Sequence, residues 1–234
     1  MNDRSKVAVL IPAAGHGARM GGTPKQFRLL GGSTILLRTL GVFESHPLID
    51  SLAVAVHSDA VEGLADALRR KGIHKTFDVV AGGSSRQESV AAALAVLPDT
   101  VDVVLVHDAV RPFLPSGRIT AVIEAVREHG AAALAVPLTD TLRRGERGLF
   151  GHTIDRSGLY CMQTPQGFRR DWFEDAHERA RQGGYSETDD VALVQRLGRD
   201  VKIVEGTSSN IKITTPADWA LAKALWESEQ AEIS

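Results

Sequence analysis

The residues best suited to chemistry follow the first apolar run of the chain, Val7–Ile11, which is typical of a short buried strand. Small residues form most of the loop behind it: Pro12, Ala13, Ala14, Gly15 and Gly17. Such residues let the backbone approach a ligand closely, and their successive N–H groups can bind an anion. Arg19 and Lys25 add two positive charges. The loop therefore favours phosphate binding.

Two common phosphate-binding motifs do not fit this loop. A Walker loop requires G-x-x-x-x-G-K-[ST], but Lys25 stands between Pro24 and Gln26. The dinucleotide fingerprint requires G-x-G-x-x-G, but Met20 occupies the third glycine position and the first acidic residue after it is Glu44. An ordinary glycine-rich turn with two solvated cations stays open as the alternative.

Asp108 is the second candidate for chemistry. It follows His107 directly after the apolar run Val101–Val106, at the end of a predicted buried strand. A carboxylate there suits a Mg²⁺ ion shared with phosphate oxygens, although a turn aspartate is the alternative. We expect His107 to position its neighbours rather than act as a base, and Arg111 to have a structural role.

Other polar residues are weaker candidates when each is taken alone. Gly83 and Ser89 lie in a turn-and-helix segment that offers backbone and hydroxyl groups to a base or sugar, but an ordinary capped turn fits equally well. Lys212 stands between two isoleucines, and a lysine on the open face of a strand is normally solvated. Arg156 has the same weak standing. The histidines show no zinc spacing, and no G-x-S-x-G elbow occurs.

Composition narrows the class of protein. The chain has 234 residues, of which 43% are hydrophobic and 24% charged, as in ordinary globular proteins. A net charge of −2 gives no sign of a nucleic-acid or membrane surface. Cys161 is the only cysteine, which excludes an internal disulfide and agrees with a reducing cytoplasm. No signal peptide or apolar run of about 18 residues is visible, so we expect a cytoplasmic location.

Apolar runs and helical periodicities alternate along the chain. Strands are predicted at Val7–Ile11, Ser51–Val56, Phe77–Ala81, Val101–Val106, Ala131–Val136, Val201–Glu205 and Asn210–Thr214. Helices are predicted between them, one of them directly after Ser33 and Thr34, and others with N-caps at Ser58 or Asp59, Ser186 and Thr215. This pattern favours an α/β fold with a parallel sheet covered on both faces. Ligands bind at the carboxyl ends of such strands, where loops 12–25, 82–89 and 107–112 should meet.

The segment 137–167 breaks this pattern because it is polar and rich in turns. A stretch of about 30 residues without a helix is too long for a simple connection. Short alternating pieces at Thr153–Ile154 and Leu159–Met162 suggest a protruding hairpin. An isolated hairpin is barely stable, so we expect this β-arm to pack on a second subunit.

Several motifs together resemble a known family. Loop 12–26 and the segment 107–112, HDAVRP, are similar to signature motifs of the cytidylyltransferases that act on 2-C-methyl-D-erythritol 4-phosphate in the non-mevalonate isoprenoid pathway. Later motifs match in the same order: Asp140-Thr141, Thr153-Ile154-Asp155-Arg156, Gln163-Thr164-Pro165-Gln166, Thr188-Asp189-Asp190 and Asn210-Ile211-Lys212. The resemblance spans essentially the whole chain.

The resemblance implies one Rossmann-like nucleotidyltransferase domain, residues 1–234, that transfers CMP from CTP to the acceptor and releases pyrophosphate. It implies Mg²⁺ at Asp108 and a homodimer in which the arm reaches the partner's site. The implied catalytic residues are Arg19, Lys25, Arg156 and Lys212. The implied nucleotide-binding residues are Pro12, Ala13, Ala14, Gly15, Gly17, Gly83, Ser89, Asp108 and Ala109. The implied acceptor-binding residues are Thr141, Arg156, Thr164 and Lys212.

Two positions depart from the family pattern. Many members have alanine at the position of Val110. A valine at this position resembles the sequence of the related ribitol-5-phosphate cytidylyltransferases. The position of Ser84 is often aspartate in the family. A cytidylyltransferase for ribitol 5-phosphate or another sugar phosphate is therefore one alternative. A nucleotide-binding regulatory domain without activity is an alternative of another class.

Overall fold

A seven-stranded sheet organises the chain in a computed structural model that describes residues 5–15 and 23–233. In its first half the elements are β1 (Lys6–Pro12), β2 (Leu29–Leu30), β3 (Ser33–Thr34), α1 (Ile35–Glu44), β4 (Ser51–Val56), α2 (Val61–Arg70), β5 (Thr76–Ala81), α3 (Arg86–Ala95), β6 (Val101–Val106) and α4 (Ser116–His129). The second half contains β7 (Ala131–Pro137), β8 (Leu142–Glu146), β9 (Leu149–Ile154), β10 (Tyr160–Arg169), α5 (Arg170–Gly183), α6 (Asp190–Gln195), β11 (Lys202–Glu205) and α7 (Pro216–Ile233).

The sheet is mixed but mostly parallel, as predicted. Its strand order is β11-β7-β10-β6-β1-β4-β5. Only β10, among these seven described strands, runs antiparallel to its neighbours β6 and β7. The carboxyl ends of β1, β5 and β6 consequently meet at one edge, and the three loops predicted to form a site follow them.

Alternation along β1 explains why both faces of the sheet are covered. Val7, Val9 and Ile11 pack with α1, α2 and α4 in one apolar cluster. Ala8 and Leu10 point to the opposite face and pack with α3 and α5 in a second cluster. All five side chains are fully buried. Each strand residue thus contributes to one of two cores, which is why the strand sequences are apolar throughout.

Several predicted boundaries are confirmed. Ser51–Val56, Val101–Val106 and Ser116–His129 have the expected ends. Thr34 caps α1 by accepting a hydrogen bond from the Leu37 N–H. Before α7, the Asp218 carboxylate accepts from the Thr214 and Thr215 N–H groups, and the Asp218 N–H donates to the Thr215 hydroxyl.

The predicted extent of the β-arm was wrong at its C-terminal end. The hairpin pairs Leu142–Glu146 with Leu149–Ile154, whereas Tyr160–Arg169 enters the central sheet between β6 and β7. The first part of β10, Tyr160 to Met162, is exposed, and its middle part, Gln163 to Phe168, is buried. The polar sequence of this strand does not indicate its central place, because its partners lie about 25 and 60 residues away in the chain.

Three smaller predictions were also wrong. Asn210–Thr214 is not a strand. It has no regular secondary structure and is held by separate hydrogen bonds, such as that from the Ile213 N–H to the Val110 carbonyl. Asp189, not Ser186, caps α6 by accepting from the Ala192 N–H. No side chain caps α2, which follows a 3₁₀ turn at Ser58–Ala60. Among the described residues, no helix is long and apolar enough to cross a membrane.

Gly167 offers a test of how tightly β10 is packed. A Cβ atom at Gly167 would lie 2.7 Å from Leu105, 2.8 Å from Val126 and 2.9 Å from Val122, all of them buried. We expect Gly167→Ala to lower the free energy of unfolding by about 1–3 kcal/mol, because the core must shift to admit the methyl group. Urea denaturation measures this change.

Gly117→Ala is the matched control. Gly117 lies in the first turn of α4, where a Cβ would meet no atom of the described residues within 4 Å. This variant should be as stable as the wild type or gain up to about 1 kcal/mol, since alanine favours helices. Equal stability of the two variants would contradict the tight packing of β10.

Candidate active site

A cavity of about 560 Å³ opens at the sheet edge where the loops after β1, β5 and β6 meet. It brings together predicted site residues that are far apart in the sequence: Pro12, Ala13, Ala14, Gly15, Lys25, Gly83, Ser89, Asp108, Ala109 and Lys212. Gly17 and Arg19, also predicted, lie outside the described residues. The convergence agrees with the rule that ligands bind at the carboxyl ends of parallel strands.

The side chain of Gln26 holds the loop after β1. Its Nε2 donates to the carbonyl oxygen of Ala13 at 2.8 Å and to that of Gly15 at 3.0 Å. Gln26 is only 4% exposed and lies in a 3₁₀ turn, Lys25–Phe27. With two carbonyls fixed inward by one amide, the peptide N–H groups between them are held in place beside the cavity. Gln26 also keeps the adjacent Lys25 at the cavity wall.

The loop after β5 is fixed by its own hydrogen bonds. Ser85 caps α3 by accepting from the Glu88 N–H. The N–H and hydroxyl of Ser84 both donate to Glu88 Oε2 at 2.7 Å. The hydroxyl of Ser89 donates to the Ser85 carbonyl at 2.9 Å. A Cβ at Gly83 would lie 2.3 Å from Glu88, so only glycine fits this turn as it stands.

Asp108 is the electrostatic centre of the cavity. Its Oδ2 lies 3.0 Å from Arg111 Nε and 3.0 Å from Lys212 Nζ, and its Oδ1 lies 3.6 Å from Arg86 Nε. Burial alone would raise the pKa of this carboxyl, but Lys212, Arg86 and Arg111 together hold the pKa well below its usual range. Asp108 is therefore ionised at any physiological pH.

A chain of hydrogen bonds orients the backbone around Asp108. The Asp108 N–H donates to the Thr164 hydroxyl at 3.1 Å, and that hydroxyl lies 3.0 Å from His107 Nδ1. His107 Nε2 contacts the Arg111 carbonyl at 3.0 Å. A carbonyl only accepts, so Nε2 carries the proton and Nδ1 accepts from Thr164. Burial lowers the pKa of His107 to about 4, which agrees with a neutral positioning histidine rather than a base.

The segment that carries Lys212 is held on both sides of that residue. The Ile213 N–H donates to the Val110 carbonyl at 3.0 Å, and the Asn210 carbonyl accepts from Arg111 Nη1 at 2.7 Å. Ile213 packs with Ala222 of α7 in a small apolar cluster. The Lys212 side chain is 42% exposed and reaches Asp108. Lys212, which the resemblance implied as a site residue, lies at the cavity because its segment turns toward Asp108 rather than pairing in the sheet.

Three predicted residues do not line the cavity of the protomer. Thr164 is 4% exposed, and its hydroxyl is engaged by Asp108 and His107. Thr141 and Arg156 are exposed beside the hairpin β8–β9, where Arg156 donates to the carbonyl of Thr139. Their roles in binding the acceptor stay predictions.

Three other contributors were not predicted as site residues: Gln26, Arg86 and Asp190, although Gln26 and Asp190 stand within motifs that carry the family resemblance. Gln26 follows Lys25 and could have been noticed as a polar residue in a turn beside glycines. Arg86 opens α3 and reaches Asp190 Oδ2 at 2.7 Å, across about 100 residues of chain. No local pattern predicts that contact, because it forms only when α3 and α6 lie side by side.

Comparison with known proteins identifies the family. The family model for 2-C-methyl-D-erythritol 4-phosphate cytidylyltransferase matches residues 7–228. The enzyme of that name from Salinibacter ruber is 54% identical over 220 residues, which cover 94% of this chain and 92% of the relative. This chain belongs to the 2-C-methyl-D-erythritol 4-phosphate cytidylyltransferase family. The prediction made from its motifs is confirmed.

Two further comparisons agree. The enzyme of the same name from Bacillus velezensis is 42% identical over 223 residues, covering 94% of this chain and 96% of the relative. The crystal structure of 2-C-methyl-D-erythritol 4-phosphate cytidylyltransferase from Thermus thermophilus superposes with a TM-score of 0.80 at 38% identity, covering 94% and 98% of the two chains. The chain is thus a cytidylyltransferase that transfers CMP from CTP to 2-C-methyl-D-erythritol 4-phosphate.

The contacts of Gln26 lead to the first prediction for the site. Gln26→Glu keeps the side-chain shape but replaces a donor with an acceptor that faces two carbonyl oxygens. We expect kcat/KM for CTP to fall about 10- to 100-fold, since a buried unmatched polar group costs about 1–3 kcal/mol. Pyrophosphate release at varied CTP concentration measures the effect.

Gln87→Glu is the matched control. Gln87 donates to the carbonyl of Tyr185 and lies on α3 outside the cavity. Its replacement makes the same chemical change, so any loss should appear in stability and not in kcat/KM for CTP. An unchanged kcat/KM for CTP in Gln26→Glu would show that the loop keeps its shape without this amide.

Proposed function

We propose that the cavity is the active site, with the triphosphate of CTP on loop 12–15 and the cytosine against Gly83, in the loop after β5, and Ser89 of α3. The observation that carries this proposal is the meeting of Lys25, Asp108 and Lys212 in one cavity with two backbone loops. Backbone N–H groups and lysines are the usual ligands of phosphates.

The acceptor phosphate is proposed to lie near Lys212. A phosphate monoester has a second pKa of about 6, so it is largely dianionic at neutral pH and needs alignment rather than a general base. An acceptor oxygen attacks the α-phosphorus of CTP, and pyrophosphate leaves in line. Lys25 and Arg19 stabilise the negative charge on the α-phosphoryl group and on the leaving group, which is the main way enzymes assist phosphoryl-type transfer. Neutral, buried His107 has no part in proton transfer.

Asp108 is proposed to hold Mg²⁺ beside the triphosphate. Enzymes of this family generally depend on a divalent cation. Mg²⁺ is commonly held by one or two carboxylates together with substrate phosphates, and the ionised Asp108 at the cavity wall fits that pattern. Within residues 5–15 and 23–233, no group of three or more His, Cys, Asp or Glu side chains could hold a metal alone. The ion would help to neutralise the phosphates of CTP.

The arm is proposed to complete the site of a second subunit. At its tip, Leu149 is 75% and Phe150 86% exposed, an unfavourable arrangement for a two-stranded hairpin in water. Thr141 and Arg156 lie beside this hairpin, away from their own cavity. A homodimer in which each arm lies on its partner would bury the apolar tip and bring Arg156 to the acceptor phosphate.

Two further parts of the proposal concern the whole chain. We propose that residues 1–234 act as one nucleotidyltransferase domain, since the two apolar clusters share the strands of one sheet. We also propose that the enzyme works in the cytoplasm, because both substrates are highly charged phosphates and do not diffuse across a lipid bilayer.

Lys25→Ala tests the assignment of the active site. We expect kcat to fall on the order of 10²- to 10³-fold with the fold intact, as for the loss of other preorganised donors to a developing negative charge. Pyrophosphate release is measured with CTP and 2-C-methyl-D-erythritol 4-phosphate, and circular dichroism checks the fold. Lys223→Ala, at an exposed position of α7, should keep normal activity.

The same assay compares acceptors. Ribitol 5-phosphate replaces 2-C-methyl-D-erythritol 4-phosphate at equal concentration, because Val110 is the position that resembles the ribitol enzymes. Higher kcat/KM with ribitol 5-phosphate would overturn the acceptor assignment, and near-normal turnover by Lys25→Ala would overturn the site.

Mixed dimers test the arm. A Lys25→Ala subunit paired with an Arg156→Ala subunit contains one site with both defects and one intact site, if Arg156 acts on the partner. We expect about half of the wild-type activity in purified heterodimers, because a two-fold dimer has two equivalent sites. Differently tagged subunits allow the heterodimer to be isolated before the assay.

The reciprocal arrangement is the control. A subunit that carries both substitutions is paired with a wild-type subunit, so each site has one defect and little activity should remain. Half activity in this control together with none in the first pairing would show that Arg156 serves its own subunit.

A further inference from the structure

Arg86 lies at the cavity and contacts two carboxylates, those of Asp108 and Asp190. It is the first residue of α3, directly after the Ser85 cap and beside the loop proposed to bind cytosine. Its side chain lines the cavity and is 30% exposed. Nη1 lies 2.7 Å from Asp190 Oδ2, and Nε lies 3.6 Å from Asp108 Oδ1. One guanidinium thus stands between two carboxylates of different elements.

Of these two carboxylates, that of Asp190 lies closer to Arg86 and is more deeply buried. It is 1% exposed and opens α6, and its N–H donates to Gln166 Oε1 at 3.1 Å. A carboxylate so deeply buried needs a charged partner, and Arg86 is the one it contacts. Asp190 does not line the cavity, so its part in the site is to hold the guanidinium of Arg86.

The cations around Asp108 differ in their freedom to move. Arg111 is 10% exposed and also donates to the Asn210 carbonyl at 2.7 Å, so it is fixed. Lys212 is 42% exposed and shares Oδ2 with Arg111. Within residues 5–15 and 23–233, Arg86 is the cation that pairs with Oδ1, and it is also paired with Asp190. When Lys212 turns to an acceptor phosphate, Arg111 and Arg86 remain to neutralise Asp108.

We infer that Arg86, anchored by Asp190, is a positioning residue for the acceptor side of the site: it offsets the charge of Asp108 so that Lys212 can leave that carboxylate for the acceptor phosphate. This inference rests on the proposed active site. Without Arg86, Asp108 would attract Lys212 more strongly, and the acceptor phosphate would compete less well for the ammonium group.

The test compares the KM for the acceptor with the KM for CTP. In Arg86→Gln the KM for 2-C-methyl-D-erythritol 4-phosphate should rise about tenfold, while the KM for CTP stays within about twofold, because Lys212 is then held more strongly by Asp108. General damage to the fold would lower the active fraction without changing one KM selectively. Steady-state kinetics with each substrate varied in turn gives both constants.

Asp190→Asn tests the anchor and remains informative if Arg86→Gln fails to fold. It should raise the same KM in the same direction but less, and the double variant should resemble Arg86→Gln alone because both changes break one connection. Arg86→Lys keeps a positive charge but cannot bridge both carboxylates, so its KM for the acceptor should lie between that of the wild type and that of Arg86→Gln.

Arg170→Gln is the matched control, since Arg170 also opens a helix and pairs with a carboxylate, that of Glu174, outside the cavity. It should leave both KM values unchanged. An unchanged acceptor KM in Arg86→Gln, or a rise confined to CTP, would overturn the inference. If Lys25→Ala is inactive at the same time, the proposed site survives and only the role of Arg86 fails.

Discussion

The neutralisation of one nearly buried carboxylate is the constraint on which the site depends. Asp108 is 7% exposed, and an isolated ionised carboxylate is costly away from water. Cations from three separate parts of the chain meet it: Arg86 from α3, Arg111 from the loop after β6, and Lys212 from the segment before α7. The charge of Asp108 therefore ties α3, the loop after β6 and the segment before α7 together at the cavity.

The fold satisfies this constraint by fixing the backbone around Asp108, while the side chains of Arg86 and Lys212 stay partly exposed. Thr164 from β10 holds the Asp108 N–H, and His107 ties that hydroxyl to the Arg111 carbonyl. Every group in this chain of hydrogen bonds is buried and paired, so the carboxylate has a defined orientation before any substrate arrives. Because β10 runs antiparallel between β6 and β7, Thr164 arrives at the same sheet edge as Asp108. The unusual direction of β10 is thus part of how the site is built.

An element could be predicted from the sequence where burial leaves a regular pattern in consecutive residues. It could not be predicted where its place depends on residues far away in the chain. Val101–Val106 and Ser116–His129 were predicted with the right ends, because burial on both faces of a strand or on one face of a helix produces a regular sequence pattern. Tyr160–Arg169 was missed because it passes from an exposed to a buried environment and its polar residues pair with distant partners. The end of a buried strand pointed to Asp108, whereas Lys212 was named as a site residue through the motif resemblance. Physical reasoning from the sequence alone could not show that they touch.

Equal charges acquire different roles here through different burial. Arg111 and Lys212 both lie 3.0 Å from the same oxygen of Asp108, so Coulomb attraction alone would not distinguish them. Arg111 also donates to a buried carbonyl and would leave that carbonyl unpaired if it moved, whereas the half-exposed Lys212 can exchange Asp108 for water or phosphate at small cost. An arginine is suited to the fixed position because its fork binds two partners at once. A lysine is suited to the mobile position because its single ammonium group can move from a carboxylate to a phosphate, and Asp108 is its one ion-pair partner among the described residues.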